Sequence, residues 1–164
     1  MKLNKVIKNL VLSAMLLVPA ALQAAPVYAA ETKEAAGASV TETIRETVGL
    51  TAKKLEKSVN QKEAGRKIAE AAKAQIGVSQ DCTMLVTNSL KAVGINFHGA
   101  PAQYAVLGEW TNDPKPGDII IYSGHVAIYI GEGRAIHGGW LGYTTIESTV
   151  ECTNALIGYI RVKV

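Results

Sequence analysis

Cysteine and histidine are the side chains best suited to covalent acyl chemistry near neutral pH, and this chain places one cysteine and two histidines in suggestive settings. Cys82 opens the segment DCTMLVTNSLKAVG directly after Asp81, and His125 and His137 lie in GHVAIYIGEGRAIHGG. Asp81 is a good N-cap and Gly94 a good stop, so a helix is expected between them with Cys82 in its first turn. Unpaired N–H groups and the dipole at a helix N-terminus favour a thiolate, and a nearby imidazolium favours it further. A thiol of low pKa that alkylates quickly near pH 6 is therefore expected. Cys82 as nucleophile, His125 as base and acid, and His137 as the group orienting His125 would complete a triad. The N–H of Cys82 would be available to an oxyanion.

The histidines depend on a hairpin. With Gly131-Glu132-Gly133 as a three-residue loop, Ala127 faces His137, and strand alternation puts His125 on that same face. The two imidazoles are then diagonal neighbours, roughly 7 Å apart at Cβ. A two-residue loop would put them on opposite faces. Their shared face is otherwise small, with Ala127 and Ala135, while Val126, Ile128, Ile130 and Ile136 face a core.

The elements that must hold these residues follow a simple order. Residues 1–30 read as a secretory signal peptide: Lys2, Lys5 and Lys8, an apolar run from Leu10 to Leu22, then small residues to Ala30. Residues 31–60 are a polar linker or loosely docked helix, with Val40, Ile44, Val48, Leu55 and Val59 at helical spacing and Gly37 and Gly49 weakening it. Residues 61–164 form the globular domain. It begins with a helix over Gln61–Ile76 and the Cys82 helix, continues through a loop-rich stretch with a short helix around Tyr104, and ends in strands. These are expected at Ile119–Tyr122, His125–Ile130, Arg134–Gly138, Tyr143–Glu147 and Leu156–Val162. Helices followed by an antiparallel meander make an α+β fold.

Charge and cysteine content set further bounds. Residues 1–30 hold three lysines and no acid, so the formal charge of +3 vanishes in the remainder, with 14 basic and 14 acidic side chains. No basic surface is left for nucleic acid or anionic membrane. In an oxidising compartment Cys82 and Cys152 form either one structural disulfide or a catalytic thiol and a bystander. Cysteine counting leaves both open. No short-spaced ligand pair supports a metal at Cys82, His125 and His137. Gly131 and Gly133 precede no helix and so make no phosphate loop. No cofactor is implied. His98 is read as solvated, and Trp110, Trp140 and Tyr143 as packing more than groove residues.

The segments DCTMLV and PGDIIIYSGHVAIYIGEGRAIHGG resemble the NlpC/p60 family of secreted cell-wall cysteine peptidases, over roughly Glu63 to Val164. The resemblance implies a papain-like α+β fold, N-terminal helices packed on an antiparallel sheet, and a bacterial location, secreted or in the periplasm and cell envelope. It implies Cys82, His125 and His137 as the catalytic residues, with Asp81 and Thr83 contacting a free amine of the substrate. The implied reaction is hydrolysis of peptidoglycan stem peptides, commonly between γ-D-glutamyl and a diamino acid. Two departures stand out. Thr83-Met84 replaces the usual Ser-Gly, and only VSQD separates Gly77 from Cys82, where the family carries a Tyr- and Gly-rich segment, so the second oxyanion donor is unassigned. CHAP-like amidases share the Cys–His pair. A catalytically inert binding module with a Cys82–Cys152 disulfide is the reading from another class. No wall-binding module is seen.

Overall fold

The structure, a computed structural model, describes residues 33–164, so the signal-peptide expectation for 1–30 lies outside the described residues. The chain divides into Met1–Ile44 and Arg45–Val164, and the sheet and the site lie in the second unit. Helix α1 (Lys33–Lys73) is longer than the expected Gln61–Ile76 helix, running unbroken through Gly37 and Gly49. Helix propensity of the Ala-, Glu- and Lys-rich flanks outweighs about 1 kcal/mol per glycine. Its apolar residues Val48, Leu55 and Val59 remain exposed. Ala64, Ile68, Ala69 and Ala72 are buried instead, so the docked part begins near residue 64.

Helix α2 (Cys82–Leu90) starts as its sequence dictates: the Asp81 carboxylate accepts the Met84 N–H at 2.8 Å. A 310 turn (Lys91–Val93) follows, and Gly94, at φ 78°, ends it in the left-handed region that suits glycine. A second 310 turn covers Pro101–Leu107. The six strands are β1 (Gly108–Thr111), β2 (Ile119–Tyr122), β3 (His125–Gly131), β4 (Arg134–Trp140), β5 (Thr144–Thr149) and β6 (Leu156–Val162). They form one sheet in the order β1-β6-β2-β3-β4-β5, with antiparallel pairing throughout. β1 was not expected: GEWT has neither alternation nor β-branched run, and its pairing with β6 is what makes it a strand.

Both faces of the sheet are covered at its centre, where every residue of β2 is buried. On one face Ile119, Ile121, Val126, Ile128, Ile136 and Ile160 pack against Ile68 and Ala72 of α1 and Leu85, Val86 and Leu90 of α2. Burying each Leu, Ile or Val here stabilises the fold by about 1.5–3 kcal/mol. On the other, Ile120, Tyr122, Ala127 and Ala135 pack with Tyr129, Val150, Cys152 and Tyr159. The small face expected beside the histidines is therefore the floor of a second core. Cys82 packs in the first cluster and Cys152 in the second, and both are free thiols. The disulfide alternative, and the inert module built on it, do not fit this placement.

Candidate active site

The chain reaches Cys82 along a path fixed by backbone hydrogen bonds. Residues 77–80 run against β5: Gly77 N–H bonds Thr145 O, Thr145 N–H bonds Val78 O, and Gln80 N–H bonds Tyr143 O. Gly139 N–H then bonds Gln80 O at 2.7 Å. VSQD is thus an added partner for the end of the sheet. Glycine is needed opposite it, because a Cβ at Gly138 would lie 2.5 Å from Asp81 O and 3.1 Å from Cys82 Cα. The Gln80 side chain bonds Gln75, Asn88 and Thr145, tying the turn after α1 to α2 and β5 just before the cysteine.

The histidines share a face, by a route other than the expected one. Gly131 pairs with Arg134, so the turn has two residues, Glu132 and Gly133, at φ 52° and 68°. Positive φ at both central positions is the type I′ pattern whose twist matches a hairpin. A bulge between Tyr129 and Gly131 inserts Ile130, and the extra residue restores the pairing of Ala127 with His137. His125 Nε2 and His137 Nδ1 lie 3.1 Å apart, with rings within 6° of parallel.

With both rings neutral, the hydrogen-bond partners assign the protons. His137 Nε2 lies 3.0 Å from Thr149 O, and a carbonyl only accepts. His137 therefore carries its proton on Nε2 and accepts at Nδ1. His125 must then donate from Nε2, which leaves the lone pair of its Nδ1 as the free base. Two aromatic rings enclose the pair. Tyr122 lies 5.5 Å from His125 and 6.1 Å from His137, and its hydroxyl donates to Val150 O at 2.6 Å. Trp140 lies 5.1 Å from His137, brought there by an irregularity in β4 between His137 and Trp140.

Sequence reasoning missed these supports. The signal for Tyr122 was present, since a two-residue Ser123-Gly124 turn puts it opposite His125. Nothing in the sequence marks a backbone carbonyl such as that of Thr149.

Burial pushes the Cys82 thiol up, against the backbone N–H groups of Val126, Cys82 and Thr83 directed at its sulfur. Burial, then the neighbouring His137, pushes His125 down to about 4. His137 is also lowered by burial, with the Thr149 carbonyl opposing. The expected low-pKa thiolate is thus corrected: at neutral pH the resting site holds a thiol and two neutral imidazoles, because desolvation outweighs the helix terminus. The sulfur still lies beside β3, since Val126, the residue after His125, offers it an N–H.

Asp81 and Thr83 flank the thiol. Burial raises the Asp81 carboxyl, but hydrogen bonds from Met84 N–H and Thr83 outweigh it and hold the group below the usual carboxylate value. His98 is exposed as expected but not free of partners. Its Nδ1 lies 3.0 Å from Thr87 Oγ1, which contacts the Tyr104 hydroxyl at 2.7 Å, which donates to Thr83 O at 2.9 Å. Among the described residues no cluster of His, Cys, Asp and Glu could hold a metal ion.

Solved structures with this architecture include NlpC1 from Trichomonas vaginalis, with a TM-score of 0.54 and 22% identity over 60% of this chain and 44% of that one. The P60 domain of an antigen from M. avium subspecies paratuberculosis gives 0.56 and 17% identity over 63% of this chain and 96% of that one. The peptidoglycan hydrolase RipB from Mycobacterium tuberculosis gives 0.55 and 19% identity over 65% and 67%. Identities this low speak to the fold. The chain spans less than half the length of NlpC1 and of NlpC2 from the same organism. A search of curated proteins finds no match. The expected α+β architecture is thus present, and a model of the NlpC/P60 family matches residues 65–152, more than half of the chain, which belongs to that family.

Proposed function

We propose that the protein is a secreted cysteine hydrolase of peptidoglycan stem peptides, cleaving at γ-D-glutamyl–diamino acid amide bonds. The observation that carries this reading is the proton order from Thr149 O through His137 to His125, which leaves the Nδ1 of His125 as a free base on the strand beside Cys82. In the first step Cys82 Sγ attacks the amide carbon while its proton passes to His125 Nδ1. The Cys82 N–H at the start of α2 stabilises the oxyanion. The C–N bond breaks as His125 protonates the leaving amine. Water, deprotonated by His125, then hydrolyses the thioester and restores the thiol. Asp81 Oδ1 already takes the Thr83 hydroxyl and the Met84 N–H, so its other oxygen serves the substrate ammonium. The family and the RipB fold support peptidoglycan as substrate. Among the described residues no helix is long and apolar enough to cross a membrane.

The test is incubation of the protein with defined muropeptides and mass spectrometry of the products. Cleavage of the γ-D-glutamyl bond that disappears in Cys82→Ala and nearly disappears in His125→Ala is expected. His137→Ala should retain more activity, because an orienting group is partly replaceable. Wild-type rates in Cys82→Ala would end the assignment of the nucleophile.

A further inference from the structure

The turn joining β4 to β5 is strained, apolar and exposed at the same time. Leu141 and Tyr143 sit at φ 35° and 77°, with glycines at positive φ on either side of Trp140. Left-handed backbone is strained at bulky side chains, and such strain persists where the surroundings enforce it, commonly at ligand sites. Neither side chain is compensated by packing: Leu141 is 87% exposed and Tyr143 63%. The enforcing contacts are on the backbone, where Tyr143 O accepts Gln80 N–H and the isolated bridge Ser79–Thr144 follows. The turn is therefore fixed to the segment that delivers Cys82, and through Trp140 to the histidine pair.

We infer that Leu141 and Tyr143 form a lip of the cleft that receives the face of an N-acetylated sugar ring adjoining the stem peptide. The inference rests on the peptidoglycan reading above and adds the substrate's saccharide to it. Charge selects the occupant. From Ala135 to Ile146 the chain has no acidic or basic side chain except His137, so the lip offers nothing to the charged ends of a stem peptide. The ammonium group of the stem peptide is the part that suits Asp81. N-acetylated pyranoses are neutral, and their axial C–H groups present an apolar face that lies flat on an aromatic ring.

Calorimetry separates the two readings. A disaccharide-tetrapeptide and the same tetrapeptide without sugar are titrated into Cys82→Ala protein. The sugar-bearing ligand should bind about ten-fold more tightly, and Tyr143→Ala, which keeps a side chain at the strained φ, should erase most of that difference while leaving the bare peptide unaffected. Leu141→Gly should weaken the sugar-bearing ligand without lowering the melting temperature, because glycine relieves the backbone; a residue kept for stability would do the reverse. Equal affinity for the two ligands, no binding of either, or a ratio unchanged in Tyr143→Ala overturns the lip. Hydrolysis of the bare tetrapeptide by the wild-type enzyme reports separately on the peptidase, so sugar-dependent binding without hydrolysis would sink the peptidase and keep the lip.

Discussion

The two imidazoles carry a linkage between acidity and stability. An ordinary histidine titrates near 6.5, whereas His125 in the folded protein is pushed down to about 4. The unfolded chain therefore binds a proton at this residue between those values and the folded one does not. Stability is fully present above about 6.5, falls as pH drops toward 4, and loses nothing further from this group below that. Allowing for solvent at the open side of the ring, the loss is about 2 kcal/mol. Urea midpoints between pH 7 and 4 should fall in the wild type and fall less in His125→Gln. In the proposed reaction the same pairing shapes catalysis. Activity should decline on the acid side only as His125 protonates, and on the alkaline side only above the ordinary thiol range, giving a broad plateau in kcat/KM. A sharp acid limb near 6.5 would contradict the burial of His125. Iodoacetamide should correspondingly react slowly with Cys82 at pH 6.

Asp81 serves a helix cap and, in the proposed reaction, a substrate amine, and two substitutions separate these. Asp81→Asn keeps an oxygen for the Met84 N–H, so stability should change by less than about 0.5 kcal/mol while KM for a free-amine substrate rises. Asp81→Ala should lose about 1 kcal/mol of stability in addition.

At the scale of elements, the contact of β4 with the start of α2 leaves no room for a methyl group. Gly138→Ala forces the backbone of Asp81 and Cys82 to move and should cost about 1–3 kcal/mol in a urea titration. Because that backbone carries the proposed nucleophile, kcat/KM should fall further than the folded fraction alone accounts for. Most elements were legible in the residues. The cap and the apolar stripe announced α2, and apolar runs or alternation between turn signals announced five of the six strands. What escaped were features set by partners distant in the chain. β1 is a strand through β6, and α1 extends upstream through composition without a buried stripe. In the β3–β4 hairpin the expected pairing of Ala127 with His137 is present, but a bulge together with a two-residue turn produces it. Turn type and bulge have compensating effects on register, so the pairing could be reached from the wrong loop. The proximity of the histidines was therefore readable, whereas the Thr149 carbonyl that sets their tautomers came only with the fold.

For the molecule as a whole, an ion pair between buried Asp118 and half-buried Arg161 ties the last strand to the entry of the central one. Asp118 is buried and accepts Arg161 Nε at 3.1 Å, Arg161 Nη2 at 2.8 Å and Lys115 N–H at 2.7 Å. The same Nη2 donates to Asp113 O. Arg161→Met would leave a carboxylate short of its partner in the interior and should cost about 3 kcal/mol of unfolding free energy. Asp118 and Arg161 meet where β6 runs beside the start of β2, away from the Tyr122–His125 end, so activity per folded molecule should be unchanged. A drop in specific activity at full folding would mean that this end of the sheet communicates with the cleft.

The bulge at Ile130 has a consequence for how this site can vary. Eleven residues separate His125 from His137, and their number, more than their identity, decides whether the two rings meet. Glu132 is exposed and the turn makes few demands beyond positive φ, so many single replacements there would pass unnoticed by the fold. Loss of one codon in the same stretch would turn His137 to the far side of the sheet with every side chain of the proposed triad still encoded. A gene for this protein is in that sense tolerant of misspelling in the hairpin and intolerant of miscounting.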